Sequence, residues 1–191
     1  MFLTIGVLLL TVLSPDHQWV SQFVSELAAD GASHQKLARF GVFLPYASLI
    51  VMFAFGLFLT YRGSRPATFA ALALALYSVS VGLGVIYNCD AGCPVDGATP
   101  SQVRHNYVTM IGIILLFMVP SGFAIHFKPN RKAYTVTVAS MFLAAGILVL
   151  PGVFGSLEER IGLVQRSAYF VLMGWLLFLA LYTLREEIDH G

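Results

Sequence analysis

The sequence has 191 residues, of which 58% are hydrophobic and only 11% are charged, whereas soluble domains have about 25% charged residues. The net charge is +1, so the chain lacks the basic surface that a nucleic-acid partner would require. The mean hydropathy of +0.79 favours a protein embedded in a membrane. We therefore predict a single membrane domain that covers residues 1–191.

The first apolar segment, Phe2–Leu13, is short for a membrane span. At 1.5 Å per residue it would form about 18 Å of helix, whereas the hydrocarbon core is about 30 Å thick. The segment also lacks the basic n-region and the A-x-A cleavage site of a signal peptide. We predict a first transmembrane helix that is short, tilted or truncated at its start. A signal peptide and a re-entrant segment are the alternatives.

A second helix is predicted directly after this segment. Ser14 is a typical N-cap and Pro15 suits the first helical position, and the helix would end near Asp30. Its apolar residues gather on one face, as in a helix that lies at the membrane interface. These residues are Trp19, Val20, Phe23, Val24 and Leu27.

Five further apolar segments are long enough to cross a bilayer, which takes about 20 helical residues. They are rich in Leu, Val, Phe and Ala and do not alternate, so helices are favoured over a β-barrel. The predicted fold is an all-α polytopic transmembrane bundle with six spans, the first one short. The five long spans are Leu37–Tyr61, Ala67–Tyr87, Tyr107–Phe127, Tyr134–Phe154 and Ile161–Leu184.

The basic residues indicate the orientation of the bundle. If the N-terminus is inside, the cytoplasmic loops carry basic residues without acids, whereas the outer loops mix both signs. We therefore predict that both termini face the cytoplasm. The predicted cytoplasmic basic residues are Arg62, Arg65, Lys128, Arg131, Lys132 and Arg185.

This orientation gathers the unusual residues at the outer face, where three motifs stand out. They are Ser25-Glu26-Leu27, then Cys89-Asp90-Ala91-Gly92-Cys93-Pro94 followed by His105, and Gly162-Leu163-Val164-Gln165-Arg166. The ordered set covers nearly the whole chain and resembles the domain-of-unknown-function 998 family. The resemblance implies a six-helix protein of a bacterial or archaeal plasma (inner) membrane and carries no established activity. Ala28 stands where the family usually has glycine.

Cys89 and Cys93 are four residues apart in a turn on the outer side. A structural disulfide is the leading interpretation, because disulfides persist in oxidising compartments. A metal pair is an alternative, although two cysteines lack the remaining ligands of a closed zinc site. A redox pair normally reads C-x-x-C.

The candidates for acid/base chemistry are Asp90, His105 and Glu26. Thr99-Pro100-Ser101-Gln102 is predicted to be a capping box, which places His105 in the second turn of the next helix. The ordinary pKa of histidine lies near neutrality, so His105 is the best acid/base candidate. A hydrogen-bonded structural histidine is the alternative.

The sequence leaves open whether the protein binds a metal. His17 and His34 could join His105 around one, but the sequence specifies no metal or other cofactor.

Arg166 lies about 15 Å along the last span, where an unpaired charge is costly. We predict that it is buried and paired with Glu159, Glu26 or Asp90. The functional alternative is an anion-binding arginine, with Ser25 and Gln165 as further candidate ligand-binding residues. Ser25 is a weak nucleophile candidate, because the sequence places no base beside it.

Two classes of function follow from these residues. The preferred one is a non-catalytic accessory, carrier or ligand-binding membrane protein. The alternative is a membrane-embedded hydrolase or transferase for a lipid-like substrate at the outer face, in which Asp90 and His105 do acid/base work or hold a metal-bound water. Arg166 would then bind a phosphate or carboxylate. The predicted partners are membrane lipid and other membrane protein subunits.

Overall fold

A computed structural model of the chain describes residues 2–96, 99–153 and 157–190. These residues form helices and connecting loops, with no strand among them. A π-helical segment, Leu37–Phe43, runs directly into the second α-helix. The α-helices are α1 (Phe2–Leu13), α2 (Leu44–Thr60), α3 (Arg65–Ile86), α4 (Pro100–His126), α5 (Arg131–Val153) and α6 (Leu157–His190).

The described chain has five helices that are long and apolar enough to cross a membrane, and α1 is a shorter apolar helix. The predicted bundle of five long spans and one short first helix is therefore confirmed. The fourth helix begins at Pro100, as the predicted cap at Thr99 requires, and the Thr99 side chain accepts a hydrogen bond from the backbone N–H of Gln102. The helix therefore extends about two turns beyond the start of the predicted span Tyr107–Phe127. The candidate spans are Leu37–Thr60, Arg65–Ile86, Pro100–His126, Arg131–Val149 and Glu159–Glu186.

Small residues allow α3 and α4 to pack closely. A Cβ atom at Gly112 would contact the Ser80 side chain, and one at Gly122 would contact Ala70. Close backbone approach through small residues is how helices gain van der Waals packing in a bilayer. Next to this seam, Phe123 is fully buried and packs against Tyr61 with ring centroids 5.4 Å apart.

The interfacial helix predicted after α1 is not present. Residues 14–23 form turns, and only Val24–Ala28 make a short 3₁₀ helix. Ser14 does not cap a helix; its Oγ lies 3.3 Å from His34 Nδ1. Instead of bonding within a helix, the Val20 carbonyl accepts a hydrogen bond from the backbone N–H of Leu163 at 2.9 Å. Contacts with α6 therefore override the local helical pattern.

The antiparallel helices bring the polar loops to one end of the bundle. We call this end the loop face; it consists of segments 14–36 and 87–96 and the first turns of α6. The Asp30 backbone N–H donates to the Cys89 carbonyl at 3.0 Å, which joins the two segments. At the opposite end His126 Nδ1 lies 2.8 Å from Ser64 Oγ. The loop face therefore gathers the three motifs that are far apart in sequence.

Candidate functional site

Cys89 and Cys93 lie at disulfide distance, with Cα atoms 5.0 Å apart, as the sequence predicts. The turn requires left-handed backbone at Gly92 (φ +78°) and at Cys93 (φ +43°). The pair packs against Ser25, whose Oγ is 3.5 Å from Cys93 Sγ and whose carbonyl oxygen is 3.6 Å from Cys89 Sγ. The cysteine turn thus fixes the 3₁₀ helix of segment 14–36 in place.

Glu26 stabilises its own loop. Its carboxylate accepts a hydrogen bond from the Phe23 backbone N–H at 2.8 Å and another from Gln22 Nε2 at 2.9 Å. Burial raises the pKa of Glu26, while these two hydrogen bonds and the nearby Arg166 act in the opposite direction. Glu26 faces a groove on the loop face together with His17 and Asp30, and it does not line the cavity that contains His105.

Arg166 is half-buried, and its hydrogen bonds go to uncharged acceptors. Its Nη1 donates to the carbonyls of Trp19 at 2.8 Å and Gln22 at 3.0 Å. Its Nη2 donates to His17 Nε2 at 2.7 Å. In the part of the chain that the structure describes, no carboxylate lies within 4.0 Å of the guanidinium. The predicted salt bridge is therefore wrong, because the loop supplies carbonyl oxygens where a carboxylate was expected.

Gly162 permits this contact. A Cβ atom there would lie 2.6 Å from the Trp19 carbonyl oxygen and would also collide with the Gln22 carbonyl oxygen. One turn further along α6, Gln165 Oε1 accepts a hydrogen bond from the Val24 backbone N–H at 2.7 Å. The Gly162–Arg166 motif therefore binds the backbone of the segment that carries the Ser25-Glu26-Leu27 motif.

His17 is the titratable partner of Arg166. Because the guanidinium can only donate, Nε2 of His17 must accept, and the imidazole is neutral. Burial and the adjacent Arg166 charge lower the pKa of His17 to about 4. This pairing could not be predicted from sequence spacing, since the two residues are 149 positions apart.

Asp90 belongs to a polar network around the start of α4. Its backbone N–H donates to Gln102 Oε1 at 2.7 Å, and its Oδ1 accepts from Thr99 Oγ1 at 2.8 Å. Gln102 is fully buried and also donates to Asn106 Oδ1 at 2.8 Å. Asp90 Oδ2 is buried without a hydrogen-bond partner among the described residues. The predicted cap at Thr99 is confirmed, but the Gln102 side chain bonds to Asp90 and Asn106.

His105 is buried, with 8% of its surface exposed. Its Nδ1 lies 2.8 Å from the Tyr87 carbonyl oxygen. Since a carbonyl only accepts, Nδ1 carries the proton, and Nε2 of the neutral ring is an acceptor. Nε2 has no hydrogen-bond partner in the described parts of the chain. His105 is thus oriented by one nitrogen and has an acceptor available on the other.

A cavity of about 100 Å³ brings together three of the six candidate catalytic and ligand-binding residues. Ser25, His105 and Gln165 line it, whereas Glu26, Asp90 and Arg166 do not. Its remaining lining is mostly apolar, and it includes several polar side chains from inside the spans that sequence reasoning missed. These residues are Tyr46, Tyr77, Ser80 and Thr109.

The sequence feature that could have indicated this polar lining is the presence of hydroxyl-bearing residues within apolar spans. Tyr46 and Tyr77 are buried, and their hydroxyl oxygens lie 3.1 Å apart. Buried tyrosine hydroxyls usually have a hydrogen-bond partner, but the sequence does not specify which spans face each other.

The three histidines considered for a metal site do not come together. His17 contacts Arg166, His34 contacts Ser14, and His105 contacts Tyr87. Across residues 2–96, 99–153 and 157–190, no group of three or more His, Cys, Asp or Glu residues has the arrangement of a metal site. The described residues therefore offer no ligand set to which a metal could be assigned.

The helices and the loop face define a polytopic membrane protein with a small cavity under its polar loops. A family model described as "Protein of unknown function (DUF998)" matches residues 1–182, and the chain belongs to this family. Searches of curated proteins and of solved structures found no match.

Proposed function

We propose that this protein is a non-catalytic, ligand-binding protein of a prokaryotic plasma membrane. Its cavity takes a small, largely apolar ligand that carries one hydroxyl donor. The observation that carries the proposal is the arrangement of His105, whose Nδ1 is held by Tyr87 and whose Nε2 acceptor has no described protein partner. The ligand hydroxyl donates to this nitrogen.

The chemistry of the cavity supports a ligand of this kind. Ligand sites are typically apolar pockets in which a few polar groups fix orientation, and this cavity has apolar walls with Ser25, His105 and Gln165 near the loop face. Gln165 Oε1 already accepts from Val24, and the Gln165 side chain is also hydrogen-bonded to Tyr169, which leaves one amide N–H as a donor for the ligand oxygen. The apolar part of the ligand would extend towards Tyr46 and Tyr77.

The separation of the ionisable candidates favours binding over catalysis. A general base must lie within hydrogen-bond reach of the group it activates. Ser25 Oγ contacts Cys93 rather than His105, and Asp90 contacts Thr99 and Gln102. Glu26 is held by Gln22 and Phe23. These contacts leave His105 without a nucleophile or a carboxylate partner among the described residues.

In this proposal the loop face is on the outside of the membrane and both termini are in the cytoplasm. The basic residues at the opposite end support this orientation, because positively charged loops are retained in the cytoplasm. The cysteine pair of the loop face would then lie in an oxidising compartment. The ligand would enter from the outer leaflet or from the space outside it.

The test compares two isomeric probes, 1-hexanol and methyl pentyl ether, which have the same atoms but differ in the hydroxyl donor. We expect 1-hexanol to raise the thermal unfolding midpoint of the detergent-purified protein more than the ether does. One hydrogen bond contributes about 1 kcal/mol, which corresponds to about fivefold tighter binding.

His105→Asn tests the role of Nε2, because the asparagine amide can still donate to Tyr87 but has no second ring nitrogen. We expect the difference between the two probes to vanish in this variant. His126→Asn, at the opposite end of the bundle, is the matched control and should keep the difference. Equal effects of both probes on the wild-type protein would contradict the proposal.

A further inference from the structure

A second hollow lies between α1 and α6, next to the cavity that His105 lines. It is a groove of about 400 Å³, and Leu3, Val24 and Tyr169 line both spaces. Leu8 and Phe170 in its walls are 60% and 61% exposed. In a membrane such apolar side chains contact hydrocarbon, so the groove is open towards lipid.

Arg166 also lines this groove. Glu26 lies near enough to interact with its charge, but Arg166 makes no direct contact with an acid among the described residues. Its three described hydrogen bonds go to two carbonyls and to neutral His17. Of the five N–H donors of an arginine, these bonds use three, which leaves Nε–H and one Nη2–H. A half-buried cation in a bilayer normally has an anionic or polar partner.

We propose that the groove binds a phosphate-bearing membrane lipid, with its phosphate on Arg166 and an acyl chain along the apolar walls. Guanidinium and phosphate form charge-assisted hydrogen bonds, often two in parallel, and Arg166 has two donors available. The proposal is independent of the ligand at His105.

The surroundings of Arg166 fit a lipid better than a free anion. Trp19, which is 50% exposed, also lines the groove, and tryptophan prefers the level of the lipid headgroups. The hydroxyl-bearing Ser167 adds a potential donor beside Arg166, while Leu8 and Phe170 offer the apolar surface that an acyl chain covers. A free phosphate would use the arginine but would leave these apolar walls without an occupant.

The test is native mass spectrometry of the full chain, released from detergent micelles that contain equal amounts of dioleoylphosphatidic acid and dioleoylglycerol. The two lipids share their acyl chains and differ in the phosphate. We expect at least about tenfold more phosphatidic acid adduct, since a hydrogen bond to a charged group contributes about 1.5–3 kcal/mol.

Two variants test the site from both sides. Arg166→Gln should reduce the phosphatidic acid adduct about tenfold, because it removes the charge. Leu8→Trp leaves Arg166 in place and fills the groove from an exposed position, so it should reduce the adduct even if Arg166→Gln does not fold.

Arg160→Gln is the matched control, because it removes an exposed arginine from the same helix, and it should leave the adduct unchanged. His105→Asn should also leave it unchanged, which separates this site from the cavity. Equal adducts of the two lipids, an equal loss in Arg160→Gln, or full displacement of the lipid by millimolar inorganic phosphate would overturn the proposal.

Discussion

Gly162 is the residue at which α6 and the loop between α1 and α2 come closest. The carbonyl oxygens of Trp19 and Gln22 occupy the space that a side chain would need, and both carbonyls also accept hydrogen bonds from Arg166. A methyl group at this position would therefore disturb both the packing and the only described hydrogen bonds of Arg166 to backbone.

We predict that Gly162→Ala destabilises the protein by about 1–3 kcal/mol, the usual cost of overpacking. Gly174→Ala in the same helix is the control, because a Cβ atom there would meet no atom within 4 Å and alanine favours a helix. Thermal unfolding midpoints of both variants check this. If Gly162→Ala unfolds at the same temperature as Gly174→Ala, the close contact is not as described.

His17 makes the contact between the loop and α6 sensitive to pH. Burial and Arg166 hold the pKa of folded His17 at about 4, whereas an exposed histidine titrates near 6.5. Between these values the unfolded chain binds more protons at His17, so stability falls as the pH is lowered from about 6.5 to 4. The raised pKa of Glu26 has the opposite effect, since folded Glu26 keeps its proton at a higher pH than the unfolded chain does.

His17→Gln isolates the histidine contribution, because the glutamine oxygen can still accept from Arg166 but does not titrate. We expect the unfolding midpoint of the wild-type protein to fall more steeply between pH 7 and pH 5 than that of the variant. Parallel pH profiles would show that His17 is not the titrating group.

At the residue scale, the sequence showed which residues require a hydrogen-bond partner or a cap, but it did not identify all of the partner residues. It indicated that Arg166 must be satisfied, that Thr99 caps a helix and that Cys89 and Cys93 are close, because each follows from local spacing or from the cost of a buried charge. It could not identify His17 and two backbone carbonyls as the partners of Arg166. Those contacts depend on the path of a loop that has no repeating pattern.

Among the larger elements, the cysteine turn holds segments 14–36 and 87–96 together. A disulfide that closes so short a loop contributes about 2 kcal/mol in the chain-entropy account. We predict that Cys89→Ser combined with Cys93→Ser lowers stability by about this amount. Maleimide should not modify the wild-type protein until a reductant is added; modification without a reductant would show that the thiols are free.

The segment between α1 and α2 was predicted to be an interfacial helix, and its contacts explain why it is not. Its residues have the spacing of an amphipathic helix, and Ser14 and Pro15 are typical of a helix start. However, the Val20 carbonyl bonds to Leu163 of α6, and Val24 bonds to Gln165. A backbone that bonds to another helix cannot also complete its own helical ladder, so the tertiary contacts decided the conformation.

For the molecule as a whole, the long helices were predictable because each span needs about 20 apolar residues. The cavity was not, because its lining comes from several separate elements and a single sequence does not specify their rotation about their axes. The three family motifs were an exception, because their resemblance to one family indicated residues that the fold brings to the loop face. The motifs that contain Ser25 and the cysteine pair are in direct contact.

The orientation of the bundle is the claim on which the disulfide and the proposed outward-facing ligand site both depend. Single cysteines at Ser33 in the loop face and at Gly63 at the opposite end, both exposed, test it with a membrane-impermeant maleimide on intact cells. Ser33→Cys should be labelled at once, and Gly63→Cys only after the membrane is permeabilised. Labelling of Gly63→Cys on intact cells, with Ser33→Cys protected, would contradict the account.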